Sequence, residues 1–208
     1  MSKTKQNLER SKSAEKSRAI LKGAMEEFLK HGYAGSSMDK VAKASGVSKA
    51  TVYSHFGDKE SLFNAVIHDL AQDRLKASID VQQSQFSGQS PREVLSAIAT
   101  KMITNATQDS VVQDFMRIII GESGRFPELA KAYVNNLAKP VIETSTQYLK
   151  DHPELEIKDP EATVRIMIGS LVYFIVLQEM MHGKDIMPLE SDRLINTLVN
   201  LIIKDQDC

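Results

Sequence analysis

The stretch that decides the fold is SMDKVAKASGVSKATVYSHFGDKESLF, residues 37–63, in which two short runs of helical spacing flank Gly46-Val47-Ser48. Ser37 precedes Met38-Asp39-Lys40-Val41-Ala42 as an N-cap, because its hydroxyl oxygen can accept from an early backbone N–H. Gly46 ends that run by supplying the positive backbone angle of a tight turn, and Ser48 caps the next run, residues 49–56. Val41, Ala42, Val47 and Val52 are spaced to pack the two runs together. Ala42 and Gly46 are small enough for a close crossing, and Val47 anchors the turn. Two short helices joined by a three-residue turn containing glycine form a helix-turn-helix. On the outer face of the second helix, Lys49, Thr51, Tyr53, Ser54 and His55 are donors of the kind that reach phosphates and base edges in a major groove. Spacing alone also admits an ordinary helical hairpin with a solvated face.

Outward from this stretch, nearly every segment keeps helical period and none shows sustained apolar–polar alternation, which predicts an all-α fold of about nine helices. Upstream, Ile20, Leu21, Ala24, Met25, Phe28 and Leu29 recur at spacings of three and four within residues 14–31, and Gly32 stops the helix. Downstream, Gly57-Asp58 breaks the second short helix and caps a long one running towards residue 83, with Leu62, Phe63, Ala65, Val66, Leu70 and Leu75 on one face. Residues 82–91 read as a polar loop, followed by helices over 92–107 and 109–121. Pro127 opens a helix to residue 150 in which Pro140 predicts a kink. Pro153 and Pro160 bracket a connector, residues 161–182 form the most apolar helix, and Pro188 opens a last one ending near 204. The longest apolar run, 166–177, is interrupted by Gly169 and Ser170 and falls short of the roughly 20 residues a membrane span needs, so it reads as a buried helix.

Net charge is −1, yet residues 1–60 hold 12 Lys+Arg against 7 Asp+Glu, which is +5, while the remainder carries 14 against 20, which is −6. An asymmetry of that kind points to one segment meeting a polyanion. A 42% hydrophobic content suffices for a core without disulfides, and the single cysteine, Cys208, fits a reducing compartment, so a cytoplasmic location is expected. The polar amino terminus lacks the apolar core of a signal peptide. We find no phosphate-binding loop, nucleophile elbow, Gly-rich dinucleotide turn or His/Glu pair at metal-binding spacing, and His31, His55, His68, His152 and His182 are scattered. The sequence thus argues against an enzyme and offers no catalytic residue, cofactor or metal site.

The run 37–63, with Ile20 through Phe28 and Gly32-Tyr33 upstream, resembles the DNA-binding signature of the TetR family over about residues 14–63. Phe115-Met116-Arg117 through Glu122, with Arg125-Phe126-Pro127-Glu128-Leu129, is similar to the ligand domain of AcrR- and AefR-like members. The resemblance implies a basic disordered arm over 1–13, a helix-turn-helix DNA-binding domain over 14–60, and a helical ligand-binding and dimerisation domain over 61–208. It implies phosphate contacts at Ser37, Thr51, Tyr53 and Lys59. Candidates for base-edge contact are Ser48, Lys49 and Ala50 at the start of the recognition helix, with Tyr53 and His55 further along.

One helix-turn-helix reads too few base pairs, so a homodimer on a palindromic operator in double-stranded DNA is expected. The last two helices carry broad apolar faces, and the resemblance implies that they form a four-helix bundle across a two-fold axis, with Leu171, Ile175, Leu194, Leu198 and Leu201 at the interface. The middle helices are expected to line a pocket with Met102, Phe115, Tyr133, Met167, Tyr173 and Phe174. Arg117, Glu122, Asn136 and Gln178 would supply its sparse polar contacts to an unknown hydrophobic effector. The function so implied is that of a ligand-responsive repressor released from its operator through a shift of the fourth helix. The alternative is a helical adaptor that no longer binds DNA specifically.

Overall fold

Helix α1 spans Ser2–Gly35, and its helical geometry fails at one residue, Gly32, where φ is 68° and ψ 175°. We describe a computed structural model covering residues 2–79, 88–108 and 110–203, with the side chains of 2–10 and 72–79 left aside. The segment read as a disordered arm is helical from Ser2. Residues 2–13 contain no proline or glycine, so nothing local breaks the helix there. After α1 come α2 (Met38–Ser45), α3 (Lys49–Phe56) and α4 (Lys59–Ile79), then α5 (Pro91–Gln108) and α6 (Ser110–Glu122). Helix α7 (Pro127–Tyr133) passes without a break through a π-turn, Val134–Ala138, into α8 (Lys139–Lys150). Helix α9 (Pro160–Ile175) extends through a second π-turn, Val176–Met180, and α10 covers Ser191–Ile202. Counting α7 and α8 as one rod, the described residues form nine, as the periodicity predicts. The ends expected at residues 83 and 204, the start at 109 and most of the 82–91 loop lie outside the described residues.

The π-turn explains how proline is accommodated in the α7–α8 rod. Pro140 has no N–H to give to the carbonyl four residues back, and the helix widens over Val134–Ala138, just before it, where a kink is expected. The last helix opens at Ser191 and not at Pro188, with Glu190 in the N-cap position. Pro160–Met180 is 21 residues long and, by length and composition alone, apolar enough to cross a membrane, which corrects the reading of this segment as too short. Val164, Met167, Leu171, Phe174 and Ile175 on its inner side are buried against a protein core.

The chain divides into two compact units, one of residues 1–72 and 114–137 and the other of 73–113 and 138–208. The boundary expected after residue 60 falls inside the first unit. Leu62, Phe63 and Val66 of α4, Phe115 and Ile119 of α6 and Leu129 of α7 share one core with Ile20, Phe28, Val41 and Val52. The second core joins Leu95, Ala99 and Ile103 of α5 with Leu149 of α8, the inner side of α9, and Ile195, Leu198 and Val199 of α10.

Gly23 makes a close crossing of α1 and α2, while Gly46, expected to let α2 and α3 cross closely, is not crowded. A Cβ on Gly23 would lie 2.8 Å from the backbone nitrogen of Ser45, whereas one on Gly46 would meet nothing within 4 Å. Gly46 serves instead as a left-handed cap at φ 67°, its N–H directed to the Ala42 and Lys43 carbonyls. Gly23→Ala is therefore expected to destabilise the protein by about 1–3 kcal/mol through overpacking, read as a lowered urea midpoint at unchanged slope.

Candidate nucleic-acid interface

The two short helices are capped as the sequence predicts. Ser37 Oγ accepts from Lys40 N at 3.3 Å at the start of α2, and Ser48 Oγ accepts from Thr51 N at 3.1 Å at the start of α3. Ser48 Oγ also lies 2.8 Å from Thr51 Oγ1, which ties the two expected contact hydroxyls to each other. Val52 is fully buried and fixes the inner side of α3, so Lys49, Ala50, Tyr53 and Ser54 stand outward, with Thr51 and His55 half-buried at the edges. The helix ends at Gly57 (φ 75°), and Asp58 Oδ1 accepts from Ser61 N at 2.7 Å to start α4. That bond and the Ser61 hydroxyl hold the Asp58 carboxyl below its usual range.

Lys49, the expected guanine reader, meets Asp39 of α2, Nζ to Oδ1 at 2.7 Å, with both side chains well exposed. Its ammonium is also 5.8 Å from the Tyr53 ring centroid. The bond to Asp39, more than that carboxylate's charge, raises the Lys49 pKa. Asp39 was not singled out from the sequence, and nothing but its place in the first turn of α2 would have pointed to it. An exposed pair of this kind is worth little and opens readily when a phosphate or base competes for the lysine.

Lys59, the expected phosphate contact at the start of α4, has partners of its own. Its ammonium donates to the Tyr33 carbonyl at 2.8 Å and the Ser36 carbonyl at 3.2 Å and sits 4.3 Å over the Tyr33 ring. Burial lowers its pKa, with the Glu122 charge opposing. It ties α4 to the turn between α1 and α2.

The residues expected to line one pocket divide between the units. Phe115 stacks on Phe63 at 5.3 Å between centroids, and Tyr133 packs against the same first core, where burial raises its pKa. Arg117 pairs with Asp114 at 2.6 Å, and Asn136 Nδ2 donates to the Ala132 carbonyl at 2.9 Å. Glu122 binds the end of α1: Oε1 accepts from Tyr33 N at 2.7 Å and Oε2 from Ala34 N at 2.9 Å. In the second unit Met167 and Phe174 are core, Met102 packs against them, and Tyr173 is 65% exposed. Gln178 is buried, with Nε2 donating to the Met187 carbonyl at 3.1 Å and Oε1 without a partner. Of the five expected interface residues, Leu171, Ile175 and Leu198 are buried in their own unit's core, Leu194 is half-buried and Leu201 is 75% exposed. Among the described residues no group of three or more His, Cys, Asp or Glu is placed to hold a metal ion.

Residues 20–66 match the pattern of bacterial regulatory proteins of the tetR family, and residues 93–204 match the C-terminal domain of AefR-like transcriptional repressors. The chain belongs to the TetR family of helix-turn-helix transcriptional regulators, with a C-terminal domain of the AefR-like kind. The HTH-type transcriptional regulator YhgD of Bacillus subtilis is 24% identical over 200 residues, covering 92% of this chain and 97% of that one. Among solved structures, a TetR-family regulator from Mesorhizobium loti superposes with a TM-score of 0.76 at 25% identity, over 91% of this chain and 96% of the other. The flavonoid-responsive regulator FrrA does so at 0.72 and 25%, over 91% and 95%.

Asp39→Asn removes the charge that holds Lys49. It is expected to strengthen binding to random-sequence DNA several-fold and to steepen the salt dependence by about one phosphate contact, as measured by fluorescence anisotropy across a salt series.

Proposed function

We propose that the chain acts in the cytoplasm as a homodimeric repressor that holds a near-palindromic operator with α2 and α3 and releases it when an apolar small molecule occupies the second unit. The observation that carries this reading is the capped pair α2–α3, whose buried Val41 and Val52 leave Lys49, Ala50, Tyr53 and Ser54 facing outward at the start and middle of the second helix. A major groove admits a helix presented in that way, with its N-terminal residues at the base edges. Ser37 at the start of α2 and Thr51 and Tyr53 on α3 take the phosphate-contacting roles. The reading assigns the chain no catalytic step and no cofactor.

A second copy is supported by the outer side of α9. Ile166 and Tyr173 are 67% and 65% exposed, and between them Gly169 leaves open space where a Cβ would stand. Leu201 of α10 is exposed as well. Apolar side chains around a glycine allow two helices to approach closely, as a two-fold interface requires. Effector chemistry is suggested by Gln178, because an acceptor left buried and unpaired in an apolar core suits a ligand that is mostly apolar but carries one hydroxyl or N–H donor. That FrrA is flavonoid-responsive agrees with this class.

The test is binding to the DNA flanking the chain's own gene, titrated against salt. Wild type is expected to bind there at sub-micromolar concentration with steep salt dependence, Tyr53→Ala to weaken all DNA alike, and Lys49→Ala to weaken the specific site most. A folded dimer that prefers no fragment over random DNA favours the adaptor reading. Tyr173→Glu is expected to shift the mass measured by light scattering from dimer to monomer and to remove operator binding with it.

A further inference from the structure

We propose that Glu122 is a positioning residue for DNA binding: its carboxylate latches the turn that sets α2 and α3, and its withdrawal unlatches them. The inference deepens the DNA-binding reading and rests on it. The latch lies wholly within the first unit. Both carboxylate oxygens are used, on the consecutive N–H groups of Tyr33 and Ala34, at 2.7 and 2.9 Å, across 89 and 88 residues of sequence.

Three features show that the site is built around this carboxylate. Gly32 takes a left-handed φ of 68°, and a Cβ there would stand 2.7 Å from Glu122 Oε1, so the carboxylate occupies space that a side chain at residue 32 would take. Lys59 grips the other face of the same turn through the Tyr33 and Ser36 carbonyls. Glu122 also ends α6 with its own carbonyl, which accepts from Arg125 N at 3.0 Å and Phe126 N at 2.8 Å, and the Phe126 ring then meets the Tyr33 ring at 5.0 Å. The segment 33–37 is thus held by carboxylate, ammonium and aromatic ring at once.

Geometry makes this turn decisive. Two residues, Ser36 and Ser37, separate α1 from α2, so the direction in which the chain leaves Tyr33 and Ala34 sets α2, and three more residues lead from α2 to α3. Helix α6 begins in the second unit, at Ser110–Gln113, and reaches Glu122 in the first. Withdrawing the Glu122 carboxylate from the two N–H groups by about 1 Å takes both bonds beyond hydrogen-bonding range.

The test compares full-length wild type with Glu122→Gln, which keeps the shape but presents an amide N–H₂ to one of the two donors, and Glu122→Asp, which keeps the charge but retracts it by one methylene. Each is titrated with operator and with random DNA at a temperature where circular dichroism shows it folded, and the exchange of the Tyr33 and Ala34 amides is followed by NMR. The expected result is a loss of at least ten-fold in the ratio of operator to random binding for the Gln variant. The Tyr33 and Ala34 amides should exchange faster while those of α9 and α10 keep their protection. A cap with a purely structural role would lower the melting temperature and leave that ratio unchanged. A folded variant with wild-type ratio or wild-type amide protection overturns the latch, and where the Gln variant does not fold the Asp variant decides by the same two criteria. If wild type itself shows no operator preference, the DNA-binding reading has failed, and with it the latch as a positioning device for DNA.

Discussion

The architecture of the first unit depends on the place where α1 stops being a helix. Had residue 32 carried a side chain, the left-handed angle would be strained and the space taken by Glu122 would be lost. With glycine there, Tyr33 turns its ring into the core, edge-on to Phe63 at 5.2 Å and stacked beside Phe28 at 5.9 Å. Phe63 in turn stacks on Phe115, so α1, α4 and α6 meet through four rings. The polar partners of the same turn, Lys59 and Glu122, satisfy backbone groups that a broken helix leaves open. Aromatic packing and backbone satisfaction are thus solved at one point, and the short helices α2 and α3 inherit their positions from it.

Much of this unit was legible in the residues from 37 to 63. Ser37, Gly46, Ser48, Gly57 and Asp58 all act locally, through bonds to neighbours within a few positions, and local chemistry is what a sequence displays. The contacts that the sequence did not display lie where the partner is remote. Lys59 has the residue type of a phosphate contact, and its inward engagement depends on carbonyls 23 and 26 residues away. Glu122 stands in a helix of pocket-like composition, and its true neighbours are amides near residue 33. Gly46 and Gly23 are both glycines at helix contacts, and the pattern alone does not say which one a backbone approaches.

In the second unit the limit is of another kind. Helix α9 is apolar nearly all round, so its periodicity does not tell which side faces its own core. Leu171 and Ile175 turn inward to Leu95 and Ala99 of α5 and their neighbours, while Ile166 and Tyr173 turn out. Proline placement was more informative. Pro127 and Pro160 start helices where they should, and Pro140 marks a disturbed rod, although the chain resolves the missing N–H by widening into a π-turn.

The pairing of Asp39 with Lys49 bears on how fast such a regulator finds its site. A chromosome offers millions of wrong sequences for each right one, and every one of them displays the same phosphates. A recognition helix whose leading cation is already neutralised grips these decoys weakly and leaves them quickly. If Lys49 reads a base as proposed, the bidentate acceptors of the correct site would draw it from the carboxylate more fully than a lone phosphate does. On that reading, the same two side chains that dull attraction to DNA in general would shorten residence on the wrong DNA and quicken the search for the right one.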